Sequence, residues 1–171
     1  MIEIRIHGRG GQGAVTFAEL LAKAAGLEGK WVQAFPAFGV ERRGAPVKAF
    51  CRIDSKPITI RSQIYAPDWI VLLDSGLLDN SEVREGLKES TKFVINGNCS
   101  MEGYESRTID ATDLALKILG KPIVNTAMLG AFAKVSGLVE LGSIFKALEE
   151  NFSGKELELN RQLVQEAYQK I

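Results

Sequence analysis

The segment IEIRIHGRGGQGAVTFAELLAKAAG, residues 2–26, constrains the fold more than any other. Ile2–Ile6 reads as a strand, and Gly8, Gly10, Gly11 and Gly13 follow it closely. Ala14–Ala25 then places Val15, Leu20, Leu21 and Ala24 near one helical face, with Gly26 as the expected stop. A strand that turns tightly into a helix is the opening unit of an α/β fold, a Rossmann-like βα step. Gly8, Gly10 and Gly13 fit G-x-G-x-x-G. Residues without Cβ let a backbone approach a phosphate, and the helix N-terminus behind them offers free N–H groups and a positive dipole end. The same glycines also serve a tight turn that only packs the helix on the sheet, and the residues themselves leave both readings open.

Two common nucleotide classes do not fit. A dinucleotide fold wants an acidic residue at the end of its second strand for the ribose hydroxyls. Here the second expected strand, Trp31–Phe35, runs into QAFPAFG; the nearest acids are Glu28 before it and Glu41 beyond it. The G-K-[ST] of a P-loop is missing as well. Cationic charge comes instead from Arg42 and Arg43 in the loop PAFGVERRGAP, residues 36–46. Loops at the carboxyl ends of strands line the crevice of an open α/β sheet. A guanidinium there suits a forked contact to phosphate. A solvated arginine pair or a salt bridge between subunits suits the same sequence equally well.

Farther along, VKAFCRI alternates as a half-exposed strand, with Val47, Ala49, Cys51 and Ile53 on one side. Ile58–Arg61 is the expected hairpin partner after the DSKP turn. WIVLLD, residues 69–74, is a continuous apolar run that fits a central strand covered on both faces. Ser81–Glu89 reads as a short helix and Phe93–Asn96 as a strand. Asp110 caps a helix through Leu119, Asn125 opens a small-residue helix, and Leu141–Glu150 and Lys155–Lys170 close the chain as helices. The expectation is a single domain over 1–171: a three-layer α/β/α fold with a mixed, mostly parallel sheet.

Charge and cysteine content narrow the function. Lys and Arg balance Asp and Glu at 21 each, which gives no pointer to nucleic acid or an anionic membrane surface, so any anion site is local. No apolar run approaches the roughly 20 residues of a membrane span. Cys51 and Cys99 are the only cysteines and His7 the only histidine. That is too little for an iron–sulfur cluster or a histidine-rich metal site, and a cytoplasmic setting is expected. His7 reads as a strand-end residue, Cys51 as core filler, Asp74 and Asp79 as helix caps, and Asn125 as a cap or a ligand contact. No catalytic constellation assembles.

Four segments, GRGGQGAVTFAELLAKAA, PAFGVERRGAPVKAFCRID, PITIRSQIYAPDWIVLLDSGLL and NTAMLGAFA, together resemble the gamma subunit of 2-oxoacid:ferredoxin oxidoreductases over nearly the whole chain. FGVERRGAPVKAF is much more specific than the glycine loop. It is more similar to the pyruvate enzyme (pyruvate synthase), whose gamma subunit is sometimes shared with the 2-oxoisovalerate enzyme, than to the 2-oxoglutarate enzyme. The resemblance implies a heterotetramer that converts pyruvate, coenzyme A and oxidised ferredoxin to acetyl-CoA, CO2 and reduced ferredoxin. It implies thiamine diphosphate with Mg and the iron–sulfur clusters on the alpha, beta and delta subunits, and a gamma chain that is inactive alone. Gly10, Gly11, Gly13, Arg43 and Asn125, with Gln12 and Arg42 beside them, are the positions it implies for coenzyme A. A free-standing nucleotide-binding protein and a purely structural subunit are the alternatives.

Overall fold

The computed structural model describes residues 1–37 and 44–171. Six strands form one sheet: β1 (Ile2–Arg9), β2 (Trp31–Pro36), β3 (Pro46–Asp54), β4 (Trp69–Leu72), β5 (Lys92–Asn96) and β6 (Ser106–Ile109). Their order is β2-β3-β1-β4-β5-β6. β1, β4, β5 and β6 run parallel, with Ile6 opposite Val71, Val71 opposite Val94 and Asn96 opposite Ile109. β3 runs antiparallel to β1 on one side and to β2 on the other. The sheet is therefore mixed and mostly parallel, with the reversal beside the glycine-bearing strand.

Strand periodicity sorts the core into two sets. Ile4, Ile6, Ala49, Cys51, Val71 and Val94 point to one face, where they meet the long helices. These are α1 (Ala14–Leu27), α3 (Ala111–Leu119), α4 (Asn125–Ser136), α5 (Leu141–Glu149) and α6 (Gly154–Lys170). Ile70, Leu72, Phe93 and Ile95 point to the other face, covered by Leu77, Met101 and Val83 of the one-turn α2 (Ser81–Arg84). Phe132 of α4 anchors the helical side, edge-on to Phe17 of α1 (5.9 Å) and to Trp69 of β4 (5.5 Å). Such aromatic pairs add about 0.5–1.5 kcal/mol each beyond their buried area. α4 can be so thoroughly buried because its residues are small. At Gly130 a Cβ would lie 2.3 Å from the Val164 carbonyl oxygen, so the backbones of α4 and α6 touch there.

Several expectations are corrected. Ile58–Arg61 forms no strand: β3 already has a partner on each side, so no free edge remains for a hairpin. Ile60 only accepts a hydrogen bond from Gln33 Nε2 through its carbonyl oxygen (3.0 Å). For the same reason β3 is not half exposed. Ala49–Ile53 is buried throughout, and the Arg52 guanidinium is satisfied inside by Glu3 (2.8 Å), Gln33 (2.9 Å) and the Gln63 carbonyl (3.2 Å). α1 continues through Gly26 to Leu27 with Glu28 as its cap, and Gly29 beyond it, at a positive φ of 77°, turns the chain away. The helix expected over 81–89 ends at Arg84. β6, short and polar at the sheet edge, carries too weak an alternation to be expected from sequence.

Candidate functional site

The glycine loop is held by its own backbone before any ligand enters. Gly10 donates its N–H to the Ala45 carbonyl (2.9 Å) and accepts from the Gly44 N–H (3.2 Å). The Gln12 N–H bonds the Arg9 carbonyl (3.0 Å), and Gln12 Oε1 accepts from the Arg9 N–H (2.7 Å). Arg9 Nε in turn reaches Asp74 Oδ2 at the end of β4 (2.6 Å), and Asp74 Oδ1 caps the 3₁₀ turn Ser75–Leu77 through the Gly76 N–H. Gly10 and Gln12 thus shape the loop. Gln12 faces a small polar cavity of about 280 Å³ with Asp74, Asn96 and Asp110.

Gly11 and Gly13 differ from those two. Both have positive φ, 96° and 82°. A Cβ at Gly11 would meet nothing within 4 Å, whereas one at Gly13 would lie 2.5 Å from Asn125 Nδ2. Gly13 is also the N-cap of α1, which has no side-chain cap and no acidic residue in its first turn. Among the described residues its first N–H groups are therefore unspent, and they carry the positive end of the helix dipole. The start of α4 is similar: Val124 supplies no side-chain cap and no acid follows in the first turn. Asn125 itself is only 5% exposed. Its Oδ1 accepts the Thr126 N–H (3.0 Å), so part of its role is local capping.

Gly11, Gly13 and Asn125 line one cavity of about 600 Å³, completed by Thr16 of α1, by Lys121 and Ile123 before α4, and by Phe152, Lys155 and Leu159 around the start of α6. Of the seven residues expected at a site, these three come together. Gly10 and Gln12 are not among the cavity's lining residues. Arg42 and Arg43 lie outside the described residues. Thr16, Lys121 and Lys155 were not singled out from sequence. Nothing local marks them, because their meeting depends on α6 docking beside α4.

The reactive side chains elsewhere are quiet. Burial, reinforced by the Arg5 and Lys48 charges, lowers the His7 pKa from 6.5 to about 3, so the imidazole is neutral. Its Nε2 has no hydrogen-bond partner among the described residues. Burial alone pushes the Cys51 thiol up to about 12, which keeps it protonated. Among the described residues no cluster of three or more His, Cys, Asp or Glu side chains is placed to hold a metal ion, and no helix is long and apolar enough to cross a membrane.

Comparison with known proteins supplies an independent line. Residues 3–170 match the profile of the family described as Pyruvate ferredoxin/flavodoxin oxidoreductase. The pyruvate synthase subunit PorC of Methanothermobacter thermautotrophicus is 56% identical, covering 100% of this chain and 96% of its own length. The pyruvate/ketoisovalerate oxidoreductases common subunit gamma of Pyrococcus furiosus is 55% identical over 99% of this chain and 97% of its own. The crystal structure of the Thermotoga maritima pyruvate oxidoreductase subunit PORC superposes with a TM-score of 0.86 at 37% identity, over 98% of this chain and 95% of that one. At 18% identity, a 2-oxoglutarate:ferredoxin oxidoreductase from Magnetococcus marinus has the same fold (TM-score 0.82) over 99% of this chain and 31% of its own.

Proposed function

Because the chain belongs to the pyruvate ferredoxin/flavodoxin oxidoreductase family, we propose that it is the gamma subunit of a pyruvate:ferredoxin oxidoreductase and helps that complex hold coenzyme A. The observation that carries the subunit assignment is full-length identity above one half to pyruvate synthase PorC subunits. The complex oxidatively decarboxylates pyruvate, passes the electrons to ferredoxin and transfers the acetyl group to coenzyme A. Thiamine diphosphate, Mg and the iron–sulfur clusters belong to the alpha, beta and delta subunits. This chain contributes binding and no redox chemistry. Similarity to a common subunit gamma favours a second reading, in which the same chain also serves a 2-oxoisovalerate enzyme.

The coenzyme A role draws on the glycine loop. Uncapped N–H groups at the start of α1, with no side chain at Gly11 or Gly13 in the way, suit a phosphate better than any neutral ligand. Arg43 immediately precedes Gly44 in the sequence, and the Gly44 N–H is bonded to the Gly10 carbonyl. A guanidinium–phosphate contact is worth roughly 1.5–3 kcal/mol, or about 10- to 150-fold in affinity.

Two measurements test this. Anaerobic purification through a tag on this chain should bring down the alpha, beta and delta chains as a brown complex with pyruvate-dependent ferredoxin reduction. In that complex Arg43→Ala should raise the KM for coenzyme A within the range above and leave the KM for pyruvate nearly unchanged. Arg43→Lys should recover only part of the loss, because lysine keeps the charge without the fork. A colourless stable monomer from the native source, or an unchanged coenzyme A KM in an intact complex, would overturn the assignment or the binding role respectively.

A further inference from the structure

The 600 Å³ cavity extends well past the glycine loop, and its far side has a chemistry of its own. Lys121 and Lys155 stand on it, both exposed, and neither belongs to an ion pair among the described residues. They come from different elements, one from the turn before α4 and one from the first turn of α6, and the fold brings them to the same hollow. The starts of α1 and α4, neither with a side-chain bond from its N-cap residue, border the same space, and at α4 Asn125 Oδ1 already takes the Thr126 N–H. The start of α6 is less free, since Glu156 in its first turn also lines the cavity and offsets part of the lysine charge.

The buried side chain of Asn125 adds independent weight. Its Oδ1 is used by the Thr126 N–H, while its Nδ2 makes no hydrogen bond among the described residues. Nearby Asn160 is different: Oδ1 accepts from Thr126 Oγ1 (2.8 Å) and Nδ2 donates to the Glu156 carbonyl (2.9 Å). An amide donor on a side chain 95% buried, with no partner among the described residues while its neighbour is saturated, is placed for an acceptor that arrives from outside. Helix dipoles, two lysines and a free amide N–H all select for an anion. Leu119, Ile123, Phe152 and Leu159 form the remaining wall, so the anion carries an organic body.

We infer that this cavity is a phosphate seat in which Lys121, Lys155 and the Asn125 amide hold a phosphate group of an organic ligand entering at the glycine loop, whose uncharged part lies on the apolar wall. The ligand's identity as coenzyme A rests on the reading given above. The seat itself rests on the cavity. Calorimetry on the full chain tests it, with coenzyme A and inorganic pyrophosphate as probes at low and high salt. Lys121→Gln and Lys155→Gln each remove one charge from an exposed site and leave thermal unfolding unchanged. Each should weaken coenzyme A binding roughly 5- to 10-fold, the pair should compound, and pyrophosphate should compete with coenzyme A on the parent but not on the double variant. Coenzyme A binding that ignores both substitutions overturns the seat and leaves the coenzyme A reading standing. Lysine-dependent pyrophosphate binding without coenzyme A binding does the reverse. A parent chain that binds neither probe overturns both.

Discussion

Gly13→Ala separates two costs that usually travel together. Gly13 sits at φ 82°, in the left-handed region where a Cβ costs about 1–2 kcal/mol. Its Cβ would also lie 2.5 Å from Asn125 Nδ2, and Asn125 is buried and tied to Thr126. Forcing that amide aside is an overpacking event of about 1–3 kcal/mol. The expected total is about 2–5 kcal/mol. Gly11→Ala is the internal control, because φ there is 96° but a Cβ meets nothing within 4 Å. Only the backbone term of about 1–2 kcal/mol should appear. Urea unfolding followed by far-UV dichroism reads both, and the difference between the two variants measures the close approach. Adding Asn125→Ala to Gly13→Ala should restore much of the packing part, giving a coupling of about 1–3 kcal/mol in a double-mutant cycle. If Gly13→Ala is no more damaging than Gly11→Ala, the start of α1 is not packed against Asn125 and the wall of the cavity is misdrawn.

Stability should also fall with acid. His7 has a native pKa near 3 against 6.5 unfolded, so the unfolded chain binds the extra proton: the native state is favoured in full above pH 6.5 and loses about 1.4 kcal/mol per pH unit from there toward pH 3. His7→Gln should remove that slope in the same window, measured by denaturant unfolding at stepped pH. Gly130→Ala should cost about 1–3 kcal/mol, because its Cβ would press on the Val164 carbonyl, and a calorimetric melting temperature little changed from the parent would contradict the α4–α6 contact. Arg52→Met leaves the Glu3 carboxylate and Gln33 without their buried partner and should cost about 3–5 kcal/mol in urea. Trp31 is 53% exposed on edge strand β2, an apolar surface suited to a partner chain, so Trp31→Asp should weaken co-purification of the other subunits while leaving the lone chain as stable as before.

Local signals were the legible ones. The glycine cluster and the apolar run after it specify the turn into α1, and the unbroken run before Asp74 specifies a strand covered on both faces. Neither statement needs a distant residue. Ile58–Arg61 shows the limit: its alternation suits a strand, but whether a strand finds an edge depends on β1 and β2 having taken both sides of β3. Arg52 shows another. Its charge argues for solvent, and only the convergence of Glu3, Gln33 and the Gln63 carbonyl makes burial tolerable. At the site, Gly11, Gly13 and Asn125 could be named in advance from a resemblance to known proteins, whereas Lys121 and Lys155 could not. Their sequence neighbourhoods are those of ordinary surface lysines, and their pairing exists only in three dimensions.

The cavity has a consequence for the nascent chain. Its first wall, at Gly11–Thr16, leaves the ribosome long before its last, at Lys155–Asn160. At roughly 5–20 residues per second, the interval between them is about 7–30 s. For that time the start of α1 has no Asn125 against Gly13, and then no α6 behind Asn125. Anything that holds the two early walls together, a phosphate included, acts on an unfinished hollow. The hollow is complete only when α6 arrives, so a chain stopped before Gly154 would keep all six strands and lack the wall that Lys155, Glu156, Leu159 and Asn160 supply.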